Sequence, residues 1–111
     1  MTGDKNSTPI DQTLRLFERG LIRLEQTNGL TVEVTRGMAI MTNEGQEAGK
    51  VAAIVVDSAS QQVTHLLLGR LRPSPDYRLI PVNLIEQIAR EAILLGIGSQ
   101  TVESLPGRRT S

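Results

Sequence analysis

Residues 44–57 read EGQEAGKVAAIVVD, a glycine-containing turn followed by a run of β-branched residues. Gly45 and Gly49 can adopt the positive φ angles of a tight turn. The segment from Lys50 to Val56 is apolar at both odd and even positions, which predicts a strand that is covered on both faces or bulged. A phosphate-binding loop would need one more residue between its glycines and a Ser or Thr after the lysine. The stretch therefore predicts the turn and central strand of a β sheet.

Outward from this stretch, short apolar runs alternate with turn residues. The predicted strands are 37–41, 50–56, 63–68, 77–80 and 92–97. The other predicted features are turns at 43–45, 57–60 and 81–85, an exposed loop at 69–76, a helical turn that Ser99 caps and that ends at Leu105-Pro106, and a loose tail at 107–111. Short strands of this kind favour closure into a small antiparallel barrel, because closure covers one core and removes free edges.

The beginning of the chain predicts a helix. Thr8 is a suitable N-cap, and Pro9 is favoured at the first helical position because its missing N–H group is not needed there. A helix from this point places Leu14 and Phe17 on one face. Gly20 can end the helix in a left-handed conformation.

The residues after Gly20 change to an alternation of apolar and polar side chains, which predicts a hairpin. A turn at residues 27–29 places Ile22 opposite Val34, so that the apolar faces of the two strands match. The alternative is a single helix from Pro9 to Gln26, which would carry an internal glycine at a cost of about 1 kcal/mol.

The composition excludes several classes of function. Lys plus Arg and Asp plus Glu both number 12 among the 111 residues, so the chain has no net charge that would attract nucleic acid or an anionic membrane. Cysteine is absent and His65 is the single histidine, which excludes disulfides, thiol nucleophiles and Cys/His zinc sites. The apolar runs are far shorter than the ~20 residues of a membrane span, and the N-terminus is polar. We expect a cytoplasmic protein without membrane insertion or cofactor.

Residues of catalytic type do not form a convincing constellation in the sequence. His65 lies near Asp57 and Ser60, but it sits inside an apolar strand, where a structural role is more common than a catalytic one. Glu44 and Glu47 flank a glycine turn without any sign of burial, so their pKa values have no reason to diverge. We therefore expect no enzymatic activity.

The arginines of the second half of the chain are candidates for partner binding. Arg70 and Arg72 lie in the predicted exposed loop, and Tyr77 and Arg78 follow it. An arginine side chain presents a planar fork of donors that suits carboxylates and phosphates. Phe17 and Tyr77 are the chain's two aromatic residues, so the stacking platform of most single-stranded RNA and DNA readers is missing.

An ordered set of segments resembles the PRC-barrel domain, which is named from the H subunit of the photosynthetic reaction centre and also occurs in a bacterial ribosome maturation factor. The segments that carry the resemblance are 37–40, 44–51, 54–57, 63–68, 78–85 and 102–106. The resemblance implies a mainly β fold, a small closed or partly open antiparallel β-barrel, and docking onto partners without catalysis. The sequence thus divides into an N-terminal helix-plus-hairpin extension (1–36), a PRC-barrel-like domain (37–106) and a tail (107–111).

These observations predict a non-catalytic protein-interaction or assembly module, an adaptor for an unknown partner. The candidate partner-binding residues are Arg70, Arg72, Tyr77, Arg78, Leu14 and Phe17. The N-terminal arm is also a candidate surface for homo-oligomer formation. One alternative is weak, salt-dependent binding of RNA or the ribosome through the loop with Arg70 and Arg72. A second alternative is a barrel that binds a small ligand.

Overall fold

The structure is a computed structural model that describes residues 14–24, 31–70 and 76–108. Within these ranges the chain is mainly β. The strands are β1 (Leu14–Phe17), β2 (Arg19–Arg23), β3 (Thr31–Thr35), β4 (Ala39–Met41), β5 (Glu47–Asp57), β6 (Gln62–Arg70), β7 (Asp76–Pro81), β8 (Ile85–Ile88), β9 (Ala92–Leu95) and β10 (Gly107–Arg108). A 3₁₀ helix (Val82–Leu84) links β7 to β8, and a short helix, α1 (Ser99–Ser104), precedes β10. The mainly β prediction is confirmed.

The main sheet has the strand order β10-β7-β6-β5-β4-β9-β8, and β1 also pairs with β5. All of its pairs are antiparallel except the parallel pair of β4 and β9. In the described part of the chain, no pairing joins β10 to β8 at the two ends of this order. Of the predicted closed or partly open barrel, the closed form is therefore wrong: the sheet of the described residues is open.

The hairpin of β2 and β3 explains how an open sheet can cover its core. Ile22 of β2 and Val34 of β3 belong to the same buried cluster as the sheet residues. Val102 of α1 completes the cover. The sheet residues of the core are Ile40, Val51, Ile54, Leu66, Leu68, Ile80, Ile85, Ile93 and Leu95. Because the hairpin and α1 shield these aliphatic side chains, their burial does not require a closed cylinder.

The central strand β5 is bulged, as its sequence predicts. Its register with β6 shifts between Val51 and Ala53 and again between Val55 and Val56. The second shift leaves an unpaired residue in β6, whereas the first leaves one in β5 and re-aims the side chains that follow it. This is how Val51 and Ile54, which have opposite parity, both reach the main core.

The N-terminal helix prediction is wrong for the residues that can be described. Leu14–Phe17 form a strand that pairs with the end of β5, with Leu14 opposite Asp57 and Phe17 opposite Ile54. The longer helix to Gln26 is excluded by the same strand and by β2. Pairing prevails because it supplies partners for backbone groups of β5 that β4 does not reach. The predicted start at Thr8 and Pro9 lies outside the described residues.

The hairpin prediction is confirmed with a shifted register. Ile22 pairs with Val32 and Gly20 with Val34, two positions from the predicted pairing. An even shift keeps the same side chains on the same face, so Ile22 and Val34 still point into the core. A Cβ on Gly20 would lie 2.9 Å from Ile54 Cγ2, which shows how closely the hairpin packs on β5.

Three predictions outside the core need correction. Gly69 and Arg70 belong to β6 and Asp76 to β7, so these parts of the predicted loop are paired strand, while residues 71–75 lie outside the described ranges. The predicted loose tail begins with β10, which pairs with β7. Ser99 does not cap α1 through its own side chain, because Gly98 holds the N-cap position. Strand β8 was not predicted.

Candidate interaction surface

The predicted binding residues fall into two groups at opposite ends of β5. Arg70, Tyr77 and Arg78 lie on β6 and β7, next to the first half of β5, where Lys50 pairs with Gly69. Leu14 and Phe17 lie on β1, which pairs with the last residues of β5. Arg72 lies outside the described residues. The structure thus brings three of the six candidates together and places two others on a separate surface.

Arg70 is held by two carboxylates of the protein itself. Its Nη1 and Nη2 donate to Glu103 at 2.5 and 3.2 Å, and Nη2 also donates to Asp76. The hydrogen bond to Glu103 raises the pKa of Arg70 above its ordinary value, with a further contribution from Asp76. The hydrogen bond from Arg70 in turn lowers the pKa of Glu103. Arg70 therefore acts as a fork that joins β6 and β7 to α1.

Arg78 closes the same network. Its Nη1 donates to the carbonyl oxygen of Leu105 at 3.0 Å. Its Nη2 lies 3.5 Å from Glu103, and its Nε lies 3.5 Å from Asp76. Two arginines and two carboxylates thus offset each other's charge. Arg70 and Arg78 are therefore occupied in holding the C-terminal segment against β7.

A groove of about 740 Å³ lies beside this network, between the start of β5 and the end of β6. Its floor is made of small residues, and the ring of Tyr77 stands over Gly69, where an added Cβ would lie 3.3 Å from the ring. Its cationic side chains have carboxylates close by: Lys50 lies 3.5 Å from Glu47, and Arg36 lies 3.8 Å from Glu18. The groove therefore offers a ligand no uncompensated charge.

The acidic residues of the β4–β5 turn have a structural task. Glu44 accepts hydrogen bonds from the backbone N–H and the hydroxyl of Ser99, at 3.2 and 3.0 Å. The Ser99 hydroxyl also lies 2.9 Å from an oxygen of Gln46. Glu44 thus accepts a hydrogen bond from a backbone N–H at the start of α1. In many helices the side chain at the N-cap position does this, whereas Glu44 lies in a distant turn. Glu47 is engaged separately by Lys50.

The groups near His65 do not converge. His65 Nδ1 lies 3.0 Å from the hydroxyl of its neighbour Thr64. Asp57 accepts hydrogen bonds from the Ser60 hydroxyl and the Ala59 N–H within the β5–β6 turn. The part of the chain that the structure describes contains no group of three His, Asp or Glu side chains arranged to hold a metal ion. Nor does it contain a helix with the length and apolar character needed to cross a membrane.

Strand β1 carries the most exposed apolar surface of the described chain. Leu14, Leu16 and Phe17 are 40%, 50% and 46% exposed, and Leu21 of the neighbouring strand β2 is 61% exposed. One edge of β1 pairs with β5, and no strand of residues 14–24, 31–70 or 76–108 pairs with its other edge. Leu16 is not among the predicted binding residues, because the predicted helix would place it on a different face from Leu14. The alternation of Leu14, Arg15 and Leu16 is the signal that points to a strand.

Comparison with known families assigns the fold. The model of the PRC-barrel domain matches residues 35–99, more than half of the chain. The chain belongs to the PRC-barrel domain family. The PRC-barrel match begins at the last residue of β3 and ends at the first residue of α1, so β1 and β2 precede it. The family prediction from the ordered sequence motifs is confirmed. No curated protein matches the sequence.

Proposed function

We propose that this PRC-barrel chain is a non-catalytic interaction module whose partner docks on β1. The observation that carries the proposal is the exposure of three large apolar side chains, Leu14, Leu16 and Phe17, on a strand with one edge that no other described strand pairs with. An edge strand can add a strand from another protein through backbone hydrogen bonds, while its side chains supply apolar contact.

The arrangement of charge supports β1 over the arginine surface as the docking site. Arg70 and Arg78 are already bound to Asp76 and Glu103, so a partner there would have to compete with charge-assisted hydrogen bonds within the protein. Leu16 is half exposed to water on a strand edge. A partner that covers it gains free energy from the burial of apolar surface and breaks no charge-assisted hydrogen bond.

A comparative pull-down from the native cell tests this function. Tagged wild-type chain is compared with Leu16→Arg and with an Arg70→Ala/Arg72→Ala double variant, after circular dichroism has shown that each is folded. We expect Leu16→Arg to lose the captured protein and the arginine variant to retain it. Retention by Leu16→Arg together with loss by the arginine variant would move the docking site to the second half of the chain. Turnover of a substrate by the purified chain would contradict the non-catalytic part of the proposal.

A further inference from the structure

We infer that the partner on β1 is a second copy of this chain, with the two β1 strands antiparallel across a two-fold axis at Leu16. This inference rests on the proposed function, because it names the occupant of the same edge. Two open sheets joined in this way become one continuous sheet, and each covers the exposed edge of the other.

The edge of β1 is short and carries one charge, but it has no bulge, proline or lysine to prevent strand addition. Its pairing with β5 has no register shift, so it carries no bulge that would twist the edge away. It contains neither proline nor lysine, and Arg15 is its single charged residue. Natural sheets protect free edges with such residues or with covering segments. Among the described residues, this edge has no such cover.

Symmetry restricts how two β1 strands can pair. In an antiparallel pair, residues directly opposite each other point to the same face, and side chains alternate between faces along each strand. A two-fold axis perpendicular to the sheet keeps each residue on the same face in both copies. Two opposing residues must therefore be both odd-numbered or both even-numbered, so one residue lies opposite its own counterpart at the axis. The registers that pair three of the four residues of β1 with each other are therefore centred on Arg15 or Leu16.

Charge selects one of these two registers. A centre at Arg15 places this arginine opposite itself. Like charges directly opposite each other destabilise a strand pair. A centre at Leu16 brings no like charges together: Leu16 meets Leu16, and Arg15 meets Phe17 twice, a pairing of a cation with an aromatic ring. Leu14 then lies opposite Glu18.

The chosen register also gathers the apolar side chains. Leu14 and Leu16 share one face of β1, so the two Leu16 side chains lie directly opposite each other and each Leu14 lies diagonally across from Leu16 of the other copy. Leu16 lies opposite Val55 of β5, which is 3% exposed, so the paired leucines adjoin a side chain that is already buried. A four-residue edge is small beside the ~800 Å² per partner of a typical stable interface. We therefore expect a dimer that dissociates on dilution.

Sedimentation of the full chain over a range of concentrations tests self-pairing. We expect a monomer–dimer equilibrium for the wild type and a monomer for Leu16→Arg, because the substitution places two arginines opposite each other at the axis. The matched control is Leu21→Arg, which changes an equally apolar and more exposed residue on β2. This control should still dimerise. A dimer lost in Leu21→Arg and kept in Leu16→Arg would place the interface on the hairpin and overturn the inference.

A charge-swap mixture tests the register. Leu16→Arg and Leu16→Glu should each be monomeric, and an equal mixture should form a heterodimer, since position 16 faces itself only when the axis lies at Leu16. No dimer in the mixture, with both variants folded, would overturn the Leu16-centred register. The absence of cysteine offers a second readout: Leu16→Cys should link to a second copy through a short bismaleimide at low protein concentration, whereas Leu21→Cys should not.

The same measurements separate failure of this inference from failure of the proposed function. If the wild type is monomeric at every concentration and Leu16→Arg loses a captured protein other than this chain, self-pairing is wrong and docking of a partner on β1 stands. If the wild type is monomeric and Leu16→Arg captures the same proteins as the wild type, both are wrong.

Discussion

Gly49 of β5 shows how a single residue sets the packing of the sheet. A Cβ at this position would lie 2.8 Å from both the carbonyl oxygen of Gly69 and Cδ2 of Leu68. The residue is buried where β5 and β6 run closely side by side. Its role is therefore close approach of two strands, whereas Gly45, with a φ of 83°, serves the turn itself.

We predict that Gly49→Ala destabilises the fold by about 1–3 kcal/mol, because the backbone of β6 must move to admit the methyl group. Gly96→Ala is the control, since its nearest contact would be an ordinary 3.9 Å to the carbonyl oxygen of Leu84. That change should alter stability by less than about 0.5 kcal/mol. Urea unfolding of both variants checks the difference, and equal effects would show that Gly49 is not tightly packed.

Glu103 gives the arginine network a dependence on pH. Its hydrogen bond from Arg70 lowers its pKa in the folded state, so the ionised form stabilises the fold. The stabilisation is complete above the unfolded pKa of about 4.3 and is lost as pH falls through the lower folded value. Because the Glu103 side chain is 52% exposed, solvent screens the interaction and we expect less than about 1 kcal/mol.

We predict that Glu103→Gln lowers the free energy of unfolding at pH 7 and that its difference from the wild type shrinks below about pH 4. In an Arg70→Gln background the same replacement should have a smaller effect, since only the weaker ion pair of the carboxylate with Arg78 then remains. Unfolding curves of the four proteins between neutral and acidic pH form the test. A difference that stays constant over this range would show that ionised Glu103 does not stabilise the fold.

At the scale of elements, the hairpin of β2 and β3 is a structural part of the core. Ile22 and Leu21 are neighbours on β2, but Ile22 is 4% exposed and Leu21 61% exposed. The family match begins only at the end of β3, yet Ile22 and Val34 lie in the same cluster as the sheet residues. The sequence predicted this hairpin because alternation over five residues is a local signal that survives a change in register.

We predict that Ile22→Ala lowers the free energy of unfolding by about 2–4 kcal/mol, since it opens a cavity between the hairpin and the sheet. Leu21→Ala removes the same class of side chain from the solvent-facing side of the strand and should change stability by less than about 0.5 kcal/mol. Chemical denaturation of both variants measures the contrast. If Ile22→Ala were as stable as Leu21→Ala, the hairpin would not contribute to the core.

At the scale of the whole molecule, the open sheet gives the protein two kinds of surface. The end that holds Arg70 and Arg78 is closed by ion pairs within the chain, whereas β1 leaves Leu14, Leu16 and Phe17 exposed. Self-pairing at this edge would link folding to association, because a dimer forms from folded chains and not from unfolded ones.

We predict that the midpoint of thermal unfolding of the wild type rises with protein concentration and that the midpoint of Leu16→Arg does not. At any one concentration that populates the dimer, the wild type should melt at the higher temperature. Calorimetry over a hundredfold range of concentration is sufficient to detect the trend. A midpoint of the wild type that is independent of concentration would contradict self-association.

The sequence by itself determined the features that depend on neighbouring residues: the central bulged strand, the turns at Gly45 and Asp57, and the hairpin that carries Ile22 and Val34. Each is encoded by periodicity or by residues suited to a turn within a short window. The family resemblance was likewise readable, because its motifs follow one another in order along residues 37–106, and the family model matches residues 35–99.

Only the tertiary structure decided which distant residues meet. Leu14 lies opposite Asp57, and Arg70 binds Glu103, which is 33 positions away. A helix for residues 9–20 satisfied the cap and glycine signals at its two ends, but the backbone groups at the end of β5 offered Leu14–Phe17 a pairing partner that these local signals could not reveal. The openness of the sheet is likewise a tertiary property, because the hairpin and α1, which are distant from each other in sequence, together cover the core.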